Sequence, residues 1–135
     1  MPKRHIQPPE LFGSEKLGFT QVVTSDPGTL VFVSGQTALD RDFRAVGGAD
    51  LAAQAEQALA NLADALSAAG ASPADVTSLR IYVAGYEPAH AALLGPVLGR
   101  FFAGGPPPAQ TLLGVQALAM PDLLIEIEAT AVISK

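Results

Sequence analysis

Glu126 and Glu128, two residues apart, are the side chains whose type and spacing best suit acid–base chemistry in this sequence. They lie in Ile125-Glu126-Ile127-Glu128-Ala129-Thr130-Ala131, where strand alternation puts the isoleucines and alanines on one face and Glu126, Glu128 and Thr130 on the other. If the apolar face covers a core, both carboxylates leave it, and their face is either wet or lines a contact between copies. A solvated polar face is the plain reading. Against it, acidic residues are poor strand formers, and two on one face repel unless something compensates them. Arg80, off the apolar face of its own strand, is one candidate compensator, and strand order decides whether it reaches Glu128. A carboxyl held in a partly dry cleft serves as a general acid or base near neutral pH, and Glu126 or Glu128 has the type for it.

Other candidates are weaker. Ser34-Gly35-Gln36, at a strand end, would present a hydroxyl and backbone N–H groups to a ligand, or would simply mark a glycine bulge. His5 falls in a Pro-rich leader and His90 in a helical stretch, so a metal site on histidines is not expected. The chain has no cysteine, which removes disulfides, thiolate catalysis and Cys-ligated zinc. Gly104-Gly105-Pro106-Pro107-Pro108 lacks the lysine and following helix of a phosphate loop and reads as a rigid connection.

The elements that must position these residues follow from pattern. Residues 1–18 read as an irregular leader. Strand signals at 20–24 and 30–34 flank Ser25-Asp26-Pro27-Gly28, which has hairpin-turn chemistry. A loop follows at 40–48, with a short strand expected near 43–46. Asp50 then caps the clearest element, a helix with Leu51, Ala55, Ala58, Leu59, Leu62, Leu66 and Ala69 on one stripe. Gln54, Gln57, Asn61 and Asp64 fall off that stripe, and Gly70 ends the helix. Ser72-Pro73-Ala74-Asp75 predicts one short turn. Residues 77–84 alternate as a half-buried strand. A second helix spans about 88–102 with Leu93, Val97 and Phe101 as its stripe, and Gly95-Pro96 should kink or split it. Strands at 110–115 and 123–133 complete an α/β (α+β) chain, in which a mixed sheet carries two helices on one face.

With 135 residues, 49% of them apolar, the chain is expected to form a single domain, residues 1–135. Eight Lys plus Arg against 13 Asp plus Glu, scattered rather than gathered, disfavour nucleic-acid binding. Prolines and Glu10 interrupt the N-terminal region where a signal peptide needs an apolar run, and no apolar stretch approaches the ~20 residues of a membrane span. The expectation is a cytoplasmic protein with no membrane partner.

Val33-Ser34-Gly35-Gln36, the helix with Gln57, Leu59, Asn61 and Leu62, Tyr82-Val83, Pro108-Ala109 and Ile125-Glu126-Ile127-Glu128-Ala129, in this order and spacing, resemble the RidA (reactive intermediate deaminase) family over nearly the whole chain. The resemblance implies a chorismate-mutase-like fold and a homotrimer whose sheets form a central barrel. It also implies clefts between subunits that hydrolyse enamine or imine intermediates released by pyridoxal-phosphate enzymes, with no metal and no bound cofactor. By position, Glu126 matches the glutamate that positions or activates water, Ser34 matches a cleft serine, and Phe19 falls near a family aromatic. Gln110 stands where deaminase members carry the arginine that grips the substrate carboxylate. A neutral amide in place of a bidentate guanidinium costs about 1.5–3 kcal/mol, roughly ten- to a hundredfold in carboxylate binding. Glu87, where many members have a polar residue such as asparagine, adds negative charge. The first reading is therefore an imine or enamine hydrolase acting on a small molecule that lacks a carboxylate. A non-catalytic trimeric small-ligand-binding protein is the alternative. The endoribonuclease activity attached to some relatives fits this acidic chain least.

Overall fold

The structure is a computed structural model that describes residues 3–134. A four-stranded mixed sheet is built from β3 (Thr29–Gln36), β6 (Ile125–Ile133), β4 (Val76–Ala84) and β5 (Ala109–Val115), side by side in that order. β6 runs antiparallel to both β3 and β4, while β4 and β5 are parallel and joined through α2 (Ala89–Phe101), the long crossover that a parallel pair requires. α1 (Leu51–Ala68) packs with α2 on one face of the sheet. β1 (Lys3–Ile6) and β2 (Val22–Ser25) form a separate two-stranded ribbon.

The core follows the apolar alternation. Ile125, Ile127, Ala129 and Ala131 of β6 are buried against Leu79, Ile81 and Val83 of β4, Val31 and Val33 of β3, and Ala55, Ala58, Leu59, Leu62 and Leu66 of α1. α1 starts where Asp50 Oδ1 accepts from the Ala53 N–H at 3.2 Å and ends at Gly70, whose φ of 78° a side chain would resist. Ser72 and Asp75 form a capping box around a single 3₁₀ turn, Pro73–Asp75.

Four expectations need correction. The predicted first hairpin does not form: β2 pairs with β1 in the register Lys3↔Ser25 to Ile6↔Val22, and β3 pairs with β6 instead. Asp26-Pro27-Gly28 does turn the chain, but β3 carries the buried Val31 and Val33 and belongs to the main sheet, whereas β2 buries nothing and takes a ribbon partner from the leader. Residues 43–46 form only the isolated bridge Leu39↔Ala45, because Asp40 Oδ1 accepts from the N–H groups of Asp42 and Arg44 at 2.9 Å and coils the loop, with Phe43 at φ 66°. α2 is not split at Gly95-Pro96 but runs through Pro96 as a single helix, and Leu94, not Leu93, joins Val97 in the core.

The fourth correction is Gln54, which is fully buried. Its Nε2 donates to the carbonyls of Gly48 at 2.7 Å and Asp122 at 2.9 Å, and its Oε1 accepts from the Leu124 N–H at 2.9 Å. Every polar atom of the amide is used, so burial carries no orphan penalty. The amide ties α1 to the turn that leads into β6, and so helps to set where Glu126 enters the sheet. Gln54→Leu leaves two carbonyls and one N–H without partners, and is expected to lower stability by about 2–3 kcal/mol. A shift in the urea midpoint at unchanged slope would measure it. A change under about 0.5 kcal/mol would deny the network that role.

Candidate functional site

β6 turns Glu126 and Glu128 away from the helices. The β4 register places Tyr82 opposite Glu126 and Arg80 opposite Glu128. Arg80 is thus the cross-strand neighbour of Glu128, yet the Tyr82 hydroxyl is what donates to Glu128 Oε1, along the diagonal of the two strands. Among the described residues the ion pair within 4.0 Å is elsewhere, between Arg100 and Glu56 at 2.7 Å on the outer surface of the helices.

The Tyr82 phenol is held above its ordinary 10.0, first by its hydrogen bond to Glu128, then by burial and the negative charges of Glu128 and Glu126, with Arg80 pulling the other way. A raised acid pKa means that the bond's contribution is fully present below pH 10.0 and is lost as pH climbs through the higher folded value. With two tyrosines and no tryptophan, ultraviolet titration of wild type minus Tyr82→Phe isolates this group. The difference curve is expected to have its midpoint above 10.0. A midpoint at or below that value would mean that the phenol does not donate to Glu128.

β3 supplies the other wall. Its pairing with β6 breaks between Val33 and Gln36, and Gly35 in this irregularity lies against Glu126. A Cβ built on Gly35 would stand 1.9 Å from Glu126 Oε2. The carboxylate therefore rests on bare backbone, a close approach that only glycine permits. Gly35, Tyr82, Glu126 and Glu128 line an open cleft of about 350 Å³ together with Val115, Ala117, Leu118 and Ala119. One carboxylate is fixed by a phenol, the other lies over a glycine, and the wall beside them is apolar. That is an environment in which a carboxylate can hold a water and take its proton.

The remaining candidates are distributed as follows. Ser34 is exposed beside Gly35, at the same end of β3. Gln110 pairs with Leu79, three residues before the Tyr82 level, or roughly 10 Å along the strand. By alternation it shares the parity of the buried Leu79, opposite to that of Tyr82 and Glu126. Phe19 stacks edge-on against Phe12 at 6.2 Å and precedes Thr20, whose N–H donates to the Pro108 carbonyl at 3.0 Å, so Phe19 and Gln110 share the outer edge of the sheet. Glu87 is exposed just before α2, where its N–H donates to His90 Nδ1 at 3.0 Å, and it does not line the Glu126 cleft. One copy of the chain thus brings Glu126, Glu128 and the Ser34-Gly35 backbone together and holds Gln110 and Phe19 apart from them.

Tyr82 was not among the expected site residues, nor was Gly35 as the seat of a carboxylate. Alternation does put Tyr82 on the non-core face of its strand. What links it to Glu128 is the register between β4 and β6, which local pattern does not carry.

Residues 15–133 match the model of the Endoribonuclease L-PSP family. The protein DfrA of Myxococcus xanthus is 35% identical over 115 residues, 84% of each chain. Among solved structures, YyfB of Yersinia pestis, described as a protein of unknown function of the conserved Rid family, superimposes with a TM-score of 0.94 at 45% identity, covering 98% of this chain and 100% of that one. Escherichia coli TdcF with bound serine gives a TM-score of 0.69 at 28% identity, over 82% and 85% of the two chains. No helix among the described residues is long and apolar enough to cross a membrane. The family match over most of its length, together with the fold shared with these relatives, means that the chain belongs to the Endoribonuclease L-PSP family, which includes the Rid proteins.

Proposed function

We propose that the protein hydrolyses imine or enamine intermediates, with Glu126 as the group that positions and activates water, and that its preferred substrates lack a carboxylate. The observation that carries this reading is the Glu126 carboxylate seated on Gly35, in a cleft with no cation in its lining. Water adds to the C=N carbon as Glu126 takes its proton. That proton passes to nitrogen to give a carbinolamine; Glu126 then takes the carbinolamine hydroxyl proton and returns it to nitrogen as the C–N bond breaks, so that ammonia leaves and the carbonyl product forms. The serine bound to TdcF supports a small-ligand site in this fold; serine carries a carboxylate, and it is Gln110 in place of an arginine that argues for a different choice in this chain.

The reading includes a homotrimer with the ligand in a cleft between subunits. Leu30, Phe32 and Leu113, which are 58%, 75% and 48% exposed, give the non-helical face of the sheet an apolar surface that calls for a cover. A neighbouring copy is also what would carry Gln110 and Phe19 toward Glu126. Ser34 is proposed to line the cleft, and Gln110 to serve as a neutral hydrogen-bonding partner. Glu87, just before α2, would disfavour anionic substrates.

Gln110→Arg is expected to raise kcat/KM for imino acids, generated in situ by an amino-acid oxidase, by roughly ten- to a hundredfold. No gain would mean that carboxylate recognition differs by more than this residue. The neutral amide of Gln110 also favours a second reading, a trimeric binding protein without turnover. Retained ligand binding with no hydrolysis of any imine would select it.

A further inference from the structure

Gln57 and Asn61 stand one turn apart on α1, off its core stripe, and neither lines the Glu126 cleft. Their amides nevertheless form a directed chain toward it. Gln57 Nε2 donates to Asn61 Oδ1 at 3.0 Å, a pairing across one helical turn that turns the other end of the Asn61 amide to the end of β3. Asn61 Nδ2 then donates to the carbonyls of Thr37 and Leu39, each at 2.8 Å, which uses both of its protons. The Ala38 carbonyl between them accepts from the Val46 N–H at 2.8 Å. Three successive carbonyls just beyond β3 are therefore held, two of them by one side chain.

What these bonds hold is the seat of Glu126. Val33 is buried and Gln36 pairs with Ile127, but Ser34 and Gly35 between them drop out of the ladder with β6. Gly35 has no side chain to pack and is exposed, with the Glu126 cleft on one side and a second open hollow of about 420 Å³ on the other. Such a segment is fixed by its two ends. The core fixes the Val33 end. At the other end Gln36 Nε2 donates back to the Ser34 carbonyl at 3.0 Å, and Asn61 takes the Thr37 carbonyl, two residues or roughly 7 Å of chain past Gly35. Asn61 borders the same hollow, so water can reach these carbonyls when its amide is removed, and the loss loosens the segment without orphaning buried groups.

We infer that Asn61 is a positioning residue of the Glu126 site: its amide fixes the end of β3 and thereby holds Gly35 against the carboxylate, an inference that rests on the reading of Glu126 as the group that activates water. Gln57 acts one step further back, by orienting the Asn61 amide.

The test uses the full chain and a carboxylate-free imine, with Gly70→Ala as a control that strains the φ of 78° at the far end of the same helix. Asn61→Ala is expected to lower kcat by at least about tenfold with KM within about threefold, and Gly70→Ala to keep kcat within about twofold of wild type. In a Glu126→Gln background, Asn61→Ala is expected to lower the residual rate by less than about twofold, although it lowers the urea midpoint as it does in wild type. Should Asn61→Ala not fold, Gln57→Ala decides, with an expected loss in kcat of about threefold or more. A wild-type kcat in the Asn61 variant, an equal loss in Gly70→Ala, or a further loss of about tenfold in the Glu126→Gln background overturns the inference. If wild type hydrolyses no imine, the catalytic reading of Glu126 fails and amide NMR still reads the positioning. Asn61→Ala is then expected to move the Gly35 and Gln36 amides and Gly70→Ala to leave them, and unmoved amides in the Asn61 variant overturn the inference.

Discussion

Glu126→Gln is expected to lower kcat for imine hydrolysis by about 10²- to 10⁴-fold, the usual contribution of a positioned general base. The amide keeps the shape of the side chain and still fits over Gly35, so the fold should be retained and thermal unfolding should move little. What it loses is the capacity to take a proton from water. Glu128 cannot substitute, because it lies one alternation further along β6 and is held by the Tyr82 hydroxyl. Single-turnover rates for the variant beside wild type check this, and an unchanged rate removes Glu126 from the chemistry.

Gly35→Ala is expected to act on the same group from the other side. The added Cβ would meet Glu126 Oε2 at 1.9 Å, Cδ at 2.7 Å and Cγ at 2.8 Å, all atoms of one flexible side chain. Gly35 is not among the positive-φ positions, so alanine meets no backbone strain there. The glutamate moves, and the strand does not. Hydrolysis should fall by at least about tenfold, because a 1 Å misplacement of a reacting group already costs up to a hundredfold. Stability should change by less than about 1 kcal/mol. The double variant Gly35→Ala with Glu126→Gln should be no slower than Glu126→Gln alone, since both remove one function. A Gly35→Ala protein with full activity would show that the carboxylate does not work from this seat.

Much of this site is written in alternation. The parity of β6 sends Glu126 and Glu128 off the core, and the parity of β4 sends Arg80 and Tyr82 to the same side. Alternation is local and side chains obey it, so the helices, the core and the direction of the carboxylates are legible from residue types alone. Pairing between distant strands is not local. Arg80 is opposite Glu128 as its parity allows, yet the partner of Glu128 is Tyr82, two positions further along β4, which follows only once the register is known. The ribbon is the same case. Lys3 to Ile6, between the prolines at positions 2 and 8, gives no strand pattern, and its partner Val22 to Ser25 looks like half of a hairpin with β3. Gln54 shows a further limit, because an amide one place off an apolar stripe reads as solvent-facing unless three backbone partners are known to be waiting.

The most direct measurement compares ammonia release from a carboxylate-free imine, produced in situ by an amine oxidase, with release from an imino acid produced by an amino-acid oxidase, each with and without the protein. Acceleration of the carboxylate-free imine well beyond that of the imino acid is the predicted result, with both accelerations absent in Glu126→Gln. Preference for the imino acid, or no acceleration of either imine, would contradict a neutral-substrate hydrolase built on Glu126.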